Sequence, residues 1–384
     1  MSKQILFCAD GTWNGPPDRP STTDIDGASQ VDSSISDGVT NVVKLFANLD
    51  GQITAATQAL KDESEKELRD RNGALLQIAK YMHGVGDSRN AVLRVLGGVF
   101  GAGVIARIVR GYTFISRNYV PGDSIHILGF SRGAYTARAL GGMIATVGLL
   151  NPQTYDVNDK DEAYLRGLAA WFKCKGVVFA GEGSLMSLLN AVLDFAGDAV
   201  ARIKLGKNDL IADVPITSVA VWDTVGSMGV PLYVKGRRDF FTFVSQDLSP
   251  KVKNGFHAMA LDERRRDFPV TRWTPRAGVE EMWFVGAHSD VGGGYALKES
   301  GLSDLALDWM MQKLAPLGVR FVTPPTHALD LTQFAQAFHE PWAKIPFNID
   351  PRRREFVAGD AVHPSVKQRW QGSVDYQKLW PKGF

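Results

Sequence analysis

Residues 123–138 leave the chain few ways to fold. An apolar β-type run through Ile125, Ile127 and Leu128 turns at Ser131 into a small-residue, helix-forming run through Ala134, Ala137 and Ala139. Gly129 and Gly133 flank the serine in G-x-S-x-G spacing. At so sharp a strand-to-helix turn the serine backbone is strained and its hydroxyl stands out at the carboxyl edge of a sheet. Strand and helix approach so closely that side chains at the two glycines would collide. The pentapeptide alone is weak; the strand before it and the helix after it make it a nucleophile elbow. Such an elbow belongs in an α/β protein of the α/β-hydrolase kind, with a mostly parallel sheet covered by helices on both faces.

The rest of the chain supplies that alternation. Strands are expected at 4–9, 75–82, 218–222 and 282–287, and helices at 42–49, 101–115, 256–266 and 302–314. Mixed charges at helical spacing over 62–71 suggest a further, solvated helix. Residues 15–38 are rich in Pro, Asp and Ser without periodicity and read as a loop; Asp24 and Asp26 lack the spacing of a calcium loop. The rhythm breaks over 151–214, read as a helical insertion within one domain spanning 1–384. Inside it, 185–205 carries apolar residues at helical intervals (Leu189, Val192, Leu193, Val200) opposite Asp194, Asp198 and Arg202, the pattern of a lid or membrane-facing helix. After 323 Pro and charge dominate, and only His363-Pro364 looks like a helix start.

Composition excludes several classes. With 43 Lys and Arg against 41 Asp and Glu, the net charge of +2 offers no field for nucleic acid. The two cysteines, Cys8 and Cys174, are too few for a disulfide framework or a thiolate metal site. No apolar stretch reaches the ~20 residues of a membrane span, and the amino terminus shows no secretory signal. The expectation is a cytoplasmic product that, if exported, leaves by a signal-peptide-independent route. Neither metal nor cofactor is called for.

A serine hydroxyl needs a histidine to take its proton, and the histidine needs a carboxylate to hold its tautomer. Asp223 and His288 each follow an apolar strand directly, in the order Ser131, Asp223, His288. His363, on the last loop, is the alternative base, with Asp290 as its acid; His257 is a third candidate, while His126 and His83 read as packed or hydrogen-bonded. An oxyanion hole would use the backbone N–H of Arg132 and one from Gly11 or Thr12, in the turn Asp10-Gly11-Thr12-Trp13-Asn14 at the end of the first strand. Asp10 is a secondary candidate for the site. Gly292 to Gly294 lack a phosphate-loop context and read as close backbone approach beside it. The triplets 264–266 and 352–354 are basic, but Asp262, Glu263, Asp267 and Glu355 can neutralise them, so they read as solvated faces.

Taken in order, FCADGTWN at 7–14, GVG at 84–86, GFSRGAYTAR at 129–138, VWDTVG at 221–226, ALDER at 260–264 and GAHSDVGGGY at 286–295 resemble the bacterial and fungal α/β-hydrolase family that includes type VI secretion phospholipase effectors. The resemblance implies Ser131 as nucleophile, Asp223 as acid and His288 as base, with acyl esters of glycerophospholipids as substrate and no metal. It also implies peripheral membrane contact and, as partners, a secretion apparatus and an immunity protein. Two other readings remain: a soluble esterase or acyltransferase with the same triad, and a catalytically silent binding module.

Overall fold

The computed structural model describes residues 2–11, 38–54, 63–83, 100–176, 202–225, 246–266, 268–326 and 350–384, together with 200, 335, 337–343 and 348. Its centre is strand β1 (Gln4–Ala9), buried along its whole length. The strand alternates between two cores: Ile5, Phe7 and Ala9 face one, and Leu6 and Cys8 face the other. A strand apolar on both sides is what a sheet covered by helices on both faces requires.

The other strands are β2 (Gln52–Ile53), β3 (Glu63–Arg69), β4 (Leu75–Met82), β5 (Ser124–Phe130), β6 (Leu149–Leu150), β7 (Leu210–Ile211), β8 (Ile216–Trp222), β9 (Val252–Ala260) and β10 (Val279–Phe284). The main sheet has eight strands in the order β10-β9-β8-β5-β1-β4-β3-β2. From β10 to β4 the pairing is parallel, and β3 and β2 add an antiparallel edge. The short β6 and β7 pair separately. The helices are α1 (Asn41–Asn48), α2 (Phe100–Asn118), α3 (Arg132–Val147), α4 (Lys160–Cys174), α5 (His288–Gly292), α6 (Gly301–Leu314), α7 (Pro364–Gly372) and α8 (Val374–Leu379). Side chains of α2, α3 and α4 fill one core, and those of α1 and α6 fill the other. The chain is therefore a mostly parallel α/β protein. No described helix is long and apolar enough to cross a membrane.

Two expectations are corrected. The charged run 62–71 is not a solvated helix but strand β3. Its charges are satisfied at the sheet edge: Lys66 Nζ donates to the carbonyls of Ala47 (2.9 Å) and Leu49 (2.7 Å) at the end of α1, and Glu65 takes Arg117. Residues 256–266 do not form a helix either; β9 runs to Ala260 between two parallel neighbours. From Gly255 to Ala260 the strand is buried on both faces, His257 included, so the polar/apolar alternation that separates strand from helix is absent there.

In the insertion, α4 buries Leu168, Ala170 and Trp171 in the same core as β1 and β5. Of the amphipathic stretch 185–205, residues 185–199 and 201 lie outside the described residues. Val200 is buried at its far end, and Ile203 and Leu205 rest against the same core.

Candidate active site

Strand β1 is followed, in the sheet, by β4 on one side and β5 on the other. This reversal of strand order opens a crevice at the carboxyl ends of β1 and β5, the place where open α/β sheets hold ligands. Asp10 and Gly11 leave β1 there, and Ser131 leaves β5.

The elbow has the geometry its glycines demand. Ser131 sits at φ 57° and ψ −120°, a left-handed conformation that non-glycine residues rarely adopt. A Cβ on Gly129 would come within 2.3 Å of the Gly133 carbonyl oxygen, and one on Gly133 within 2.1 Å of the Ala9 carbonyl oxygen. The serine backbone is tied down by its N–H to the Trp222 carbonyl at 3.1 Å. Only 7% of Ser131 is exposed.

Three side chains that are distant in sequence form one hydrogen-bonded chain. His288 Nε2 lies 2.8 Å from Ser131 Oγ, and His288 Nδ1 lies 2.6 Å from Asp223 Oδ2. Beside a buried carboxylate, Nδ1 carries the proton, and the Nε2 lone pair faces the serine hydroxyl. Burial pulls the imidazole below its ordinary value, while the hydrogen bond and charge of Asp223 work against this. The histidine is thus neutral near pH 7, the state in which it can accept a proton.

Short helix α5 carries His288 back toward the elbow. Its backbone lies flat against Phe130: a Cβ on Gly292 would penetrate the Phe130 ring at 1.9 Å. This is the close approach read for the glycine run. The imidazole is held between the rings of Phe130 and Phe268, at centroid distances of 4.6 and 5.2 Å. Its backbone N–H donates to Glu263 Oε2, whose carboxylate also takes Arg265.

Asp223 is fully buried, at φ 38° in the turn after β8. Burial alone would raise its carboxyl. The charge of Arg354, with hydrogen bonds from His288 and Arg354, instead holds it far below the usual carboxylate range. Arg354 approaches both oxygens: Nη1 meets Oδ1 and Nη2 meets Oδ2 at 2.9 Å. The Ala260 N–H adds a bond to Oδ1 at 2.9 Å. Sequence reasoning missed Arg354, which stood in a triplet read as solvated. Its partner is 131 positions away, and no local pattern marks it.

The alternative base and acid are not brought together. His363 caps α7, with its Nδ1 2.8 Å from Ser365 Oγ and its ring stacked on Phe284. Asp290 instead takes His339, Nδ1 to Oδ1 at 2.7 Å, and the Ala287 N–H. His257 accepts the Thr224 N–H at Nε2 and bonds Glu281 through Nδ1. His126 is buried between Ser218 and Gln4. These histidines are occupied structurally.

On the β1 side, Gly11 lies against the nucleophile; a Cβ there would stand 3.1 Å from Ser131 Cβ. Its N–H donates to Asp10 Oδ1 at 2.6 Å, a bond that service as an oxyanion donor would have to share or replace. Thr12 lies outside the described residues. Asp10 also receives the Thr40 and Tyr81 hydroxyls on Oδ2, at 2.8 and 2.7 Å. Arg132 begins α3, so its backbone N–H is at the helix start beside Ser131. Burial pulls its guanidinium down to about 10. No group of three or more potential metal ligands occurs among the described residues.

The family described as the type VI secretion system (T6SS) phospholipase effector, Tle1-like, catalytic domain, matches residues 3–313. The chain belongs to this family. A curated relative, the uncharacterized protein YEL023C of Saccharomyces cerevisiae, is 26% identical over 294 residues, covering 73% of this chain and 34% of its own length. Among solved structures, the Tle1 effector bound to the VgrG spike of the type 6 secretion system is 19% identical, with TM-score 0.39, over 78% of this chain and 52% of that one. An uncharacterized protein from Pseudomonas aeruginosa is 16% identical, with TM-score 0.39, over 88% and 49%. The chain thus spans about a third of the yeast relative and about half of each solved chain. In this Tle1-like catalytic domain, Arg354 lies beyond the matched span.

Proposed function

We propose that the chain is a serine hydrolase that cleaves acyl esters of glycerophospholipids through Ser131, His288 and Asp223. The observation that carries the reading is the unbroken hydrogen-bonded path from Asp223 through His288 to Ser131 Oγ, at the switch point of the sheet, in a member of a phospholipase family.

In this reading, Ser131 Oγ attacks the ester carbonyl carbon while His288 Nε2 takes the hydroxyl proton. Asp223 stabilises the imidazolium without itself taking a proton. The negative charge on the carbonyl oxygen is met by the Arg132 backbone N–H, at the positive end of α3. The intermediate collapses as His288 returns the proton to the departing lysophospholipid oxygen, leaving the acyl group on Ser131. Water, activated by the same imidazole, then releases the fatty acid and restores the serine. None of these steps uses a metal or cofactor. Delivery through a type VI apparatus, contact with a membrane surface and neutralisation by an immunity protein belong to the same proposal.

The test is mass spectrometry of phospholipid vesicles incubated with the wild type or with Ser131→Ala. The wild type is expected to release free fatty acid and lysophospholipid. The variant should retain only a remnant, about 10³- to 10⁴-fold over water. Wild-type release by Ser131→Ala would overturn the reading. If a fluorophosphonate probe labels Ser131, and short soluble esters are cleaved while vesicles are left intact, the activity is that of a soluble esterase. Failure to label leaves a silent binding module.

A further inference from the structure

The Asp223 carboxylate has a second anchor that the triad chemistry does not call for. Arg354 is 9% exposed, and its guanidinium plane meets both oxygens of Asp223 while also donating to the carbonyls of Ala260 (2.7 Å) and Phe268 (2.8 Å). This paired-fork geometry fixes a carboxylate in a plane, which a lysine point charge cannot do. The stretch that delivers it is itself pinned down. Asp360 receives both Arg272 Nη atoms, at 3.0 and 2.8 Å, and the Trp283 indole N–H. Asp262, just past β9, receives the Tyr376 hydroxyl and the Trp380 indole N–H. All four anchors of this stretch (Arg354, Asp360, Tyr376 and Trp380) lie beyond residue 313, where the family match ends.

We propose that Arg354 is a positioning residue for the hydrolysis, clamping both oxygens of Asp223 so that Oδ2 is presented to His288 Nδ1. The proposal rests on the reading of Ser131, His288 and Asp223 as the catalytic set. Arg354 touches neither the serine nor the histidine, so its effect passes through the carboxylate. It also sets the charge that His288 feels. Facing the imidazole are the Asp223 and Glu263 carboxylates and the Arg265 guanidinium; facing Asp223 are Arg354 and, more weakly, His257. With the guanidinium in place, part of the Asp223 charge is matched. Without it, that charge acts more fully on the imidazolium, and His288 holds its proton to higher pH.

The experiment is steady-state hydrolysis of a soluble chromogenic ester against pH by the full chain, its Arg354→Lys and Arg354→Ala variants, and Ser131→Ala. Far-ultraviolet circular dichroism checks folding. Misplacing the carboxylate should lower kcat by ~100-fold in Arg354→Ala and by ~10-fold in Arg354→Lys, with little change in KM. In Arg354→Ala the acidic limb of kcat/KM should move to higher pH. Added guanidinium ion should restore part of kcat and return the limb toward its wild-type position, whereas Ser131→Ala should gain nothing. If both variants match the wild type in kcat and pH limb, the clamp is overturned. It is equally overturned if activity is lost with an unmoved limb and no guanidinium rescue, and if Arg354→Ala is unfolded while folded Arg354→Lys shows wild-type kcat and limb. Wild-type activity that survives Ser131→Ala would instead sink the reading of the site on which the clamp depends.

Discussion

Asp10 and Asp223 stand at the ends of two strands separated only by β5, each at a turn beginning Asp-Gly or Asp-Thr, and each is buried. Their surroundings are opposite. Asp223 meets a guanidinium and an imidazole, and the net result is a carboxyl held far down. Asp10 accepts a backbone N–H and two neutral hydroxyls on its carboxylate, with Arg107 donating to its backbone carbonyl; its largest influence is burial, which raises it, and the hydrogen bonds from Tyr81 and Thr40 and the charge of His83 offset this only in part. A buried carboxylate is therefore not one kind of residue. A guanidinium bonded to both oxygens holds it ionised, ready to stabilise an imidazolium, whereas hydroxyl and amide donors with no cation bonded to both oxygens leave burial dominant and make it a structural knot at the end of β1 beside the nucleophile.

Exchanging the two carboxylates for amides is the most direct attempt to break this contrast. Asp223→Asn should cut kcat by ~10⁴-fold, because an amide cannot hold the required tautomer of His288. It also leaves the Arg354 guanidinium buried without its anion, a loss of about 3–5 kcal/mol in stability. Asp10→Asn keeps an acceptor for the Gly11 N–H but turns an amide NH2 toward the Thr40 and Tyr81 hydroxyls without stranding a buried guanidinium, so stability should fall by about 1–3 kcal/mol and kcat should stay within roughly tenfold. Ester hydrolysis and urea unfolding measure both. Equal losses of kcat in the two variants would erase the distinction.

The next effect is in the pH dependence of stability. A carboxyl held below its unfolded value of about 3.9 stabilises fully above that pH and loses the contribution as pH falls through its folded value. That is Asp223. For Asp10, held above its unfolded value, the contribution is full below about pH 4 and is lost as pH rises through the folded value. Unfolding free energies compared with the wild type should therefore diverge on opposite sides of pH 4. The deficit of Asp223→Asn should grow as pH rises up to about 4, and that of Asp10→Asn should shrink above it. Parallel curves for wild type and both variants would show that the two sites ionise alike.

How legible the molecule was in its sequence follows the same division between local and distant partners. The elbow, the turn after β8 and His288 could be read because the constraint is local: glycines that strand and helix leave no room for, and polar residues directly after apolar strands. Strands β3 and β9 were misread because burial rewrites the cues. Glu65 and Lys66 find partners on α2 and α1, so their charge no longer signals solvent, and β9 is buried on both faces from Gly255 to Ala260, His257 included, so it carries no period there. Arg354 and His339 had no readable sign, since each meets its carboxylate only through the tertiary fold. The basic triplet 352–354 divides accordingly: Arg352 pairs with the nearby, exposed Asp350, and Arg354 turns inward to Asp223.

The smallest expected effect on kcat is the sharpest probe of the Asp10 side. Tyr81 is fully buried and donates its hydroxyl to Asp10 Oδ2, an oxygen that keeps the Thr40 hydroxyl when Tyr81 is replaced by phenylalanine. Tyr81→Phe removes one of two donors to that oxygen without changing the ring that lies against Phe46 and His83. A hydrogen bond to an ionised carboxylate contributes about 1.5–3 kcal/mol and one to a neutral carboxyl about 1 kcal/mol, so the loss should be larger when Asp10 is ionised. Stability differences between wild type and Tyr81→Phe should accordingly widen as pH rises through the folded value of Asp10, with kcat within about threefold of wild type throughout. A difference that stays flat with pH would mean that Asp10 does not change its ionisation over that range, and that its contrast with Asp223 lies in position and not in charge.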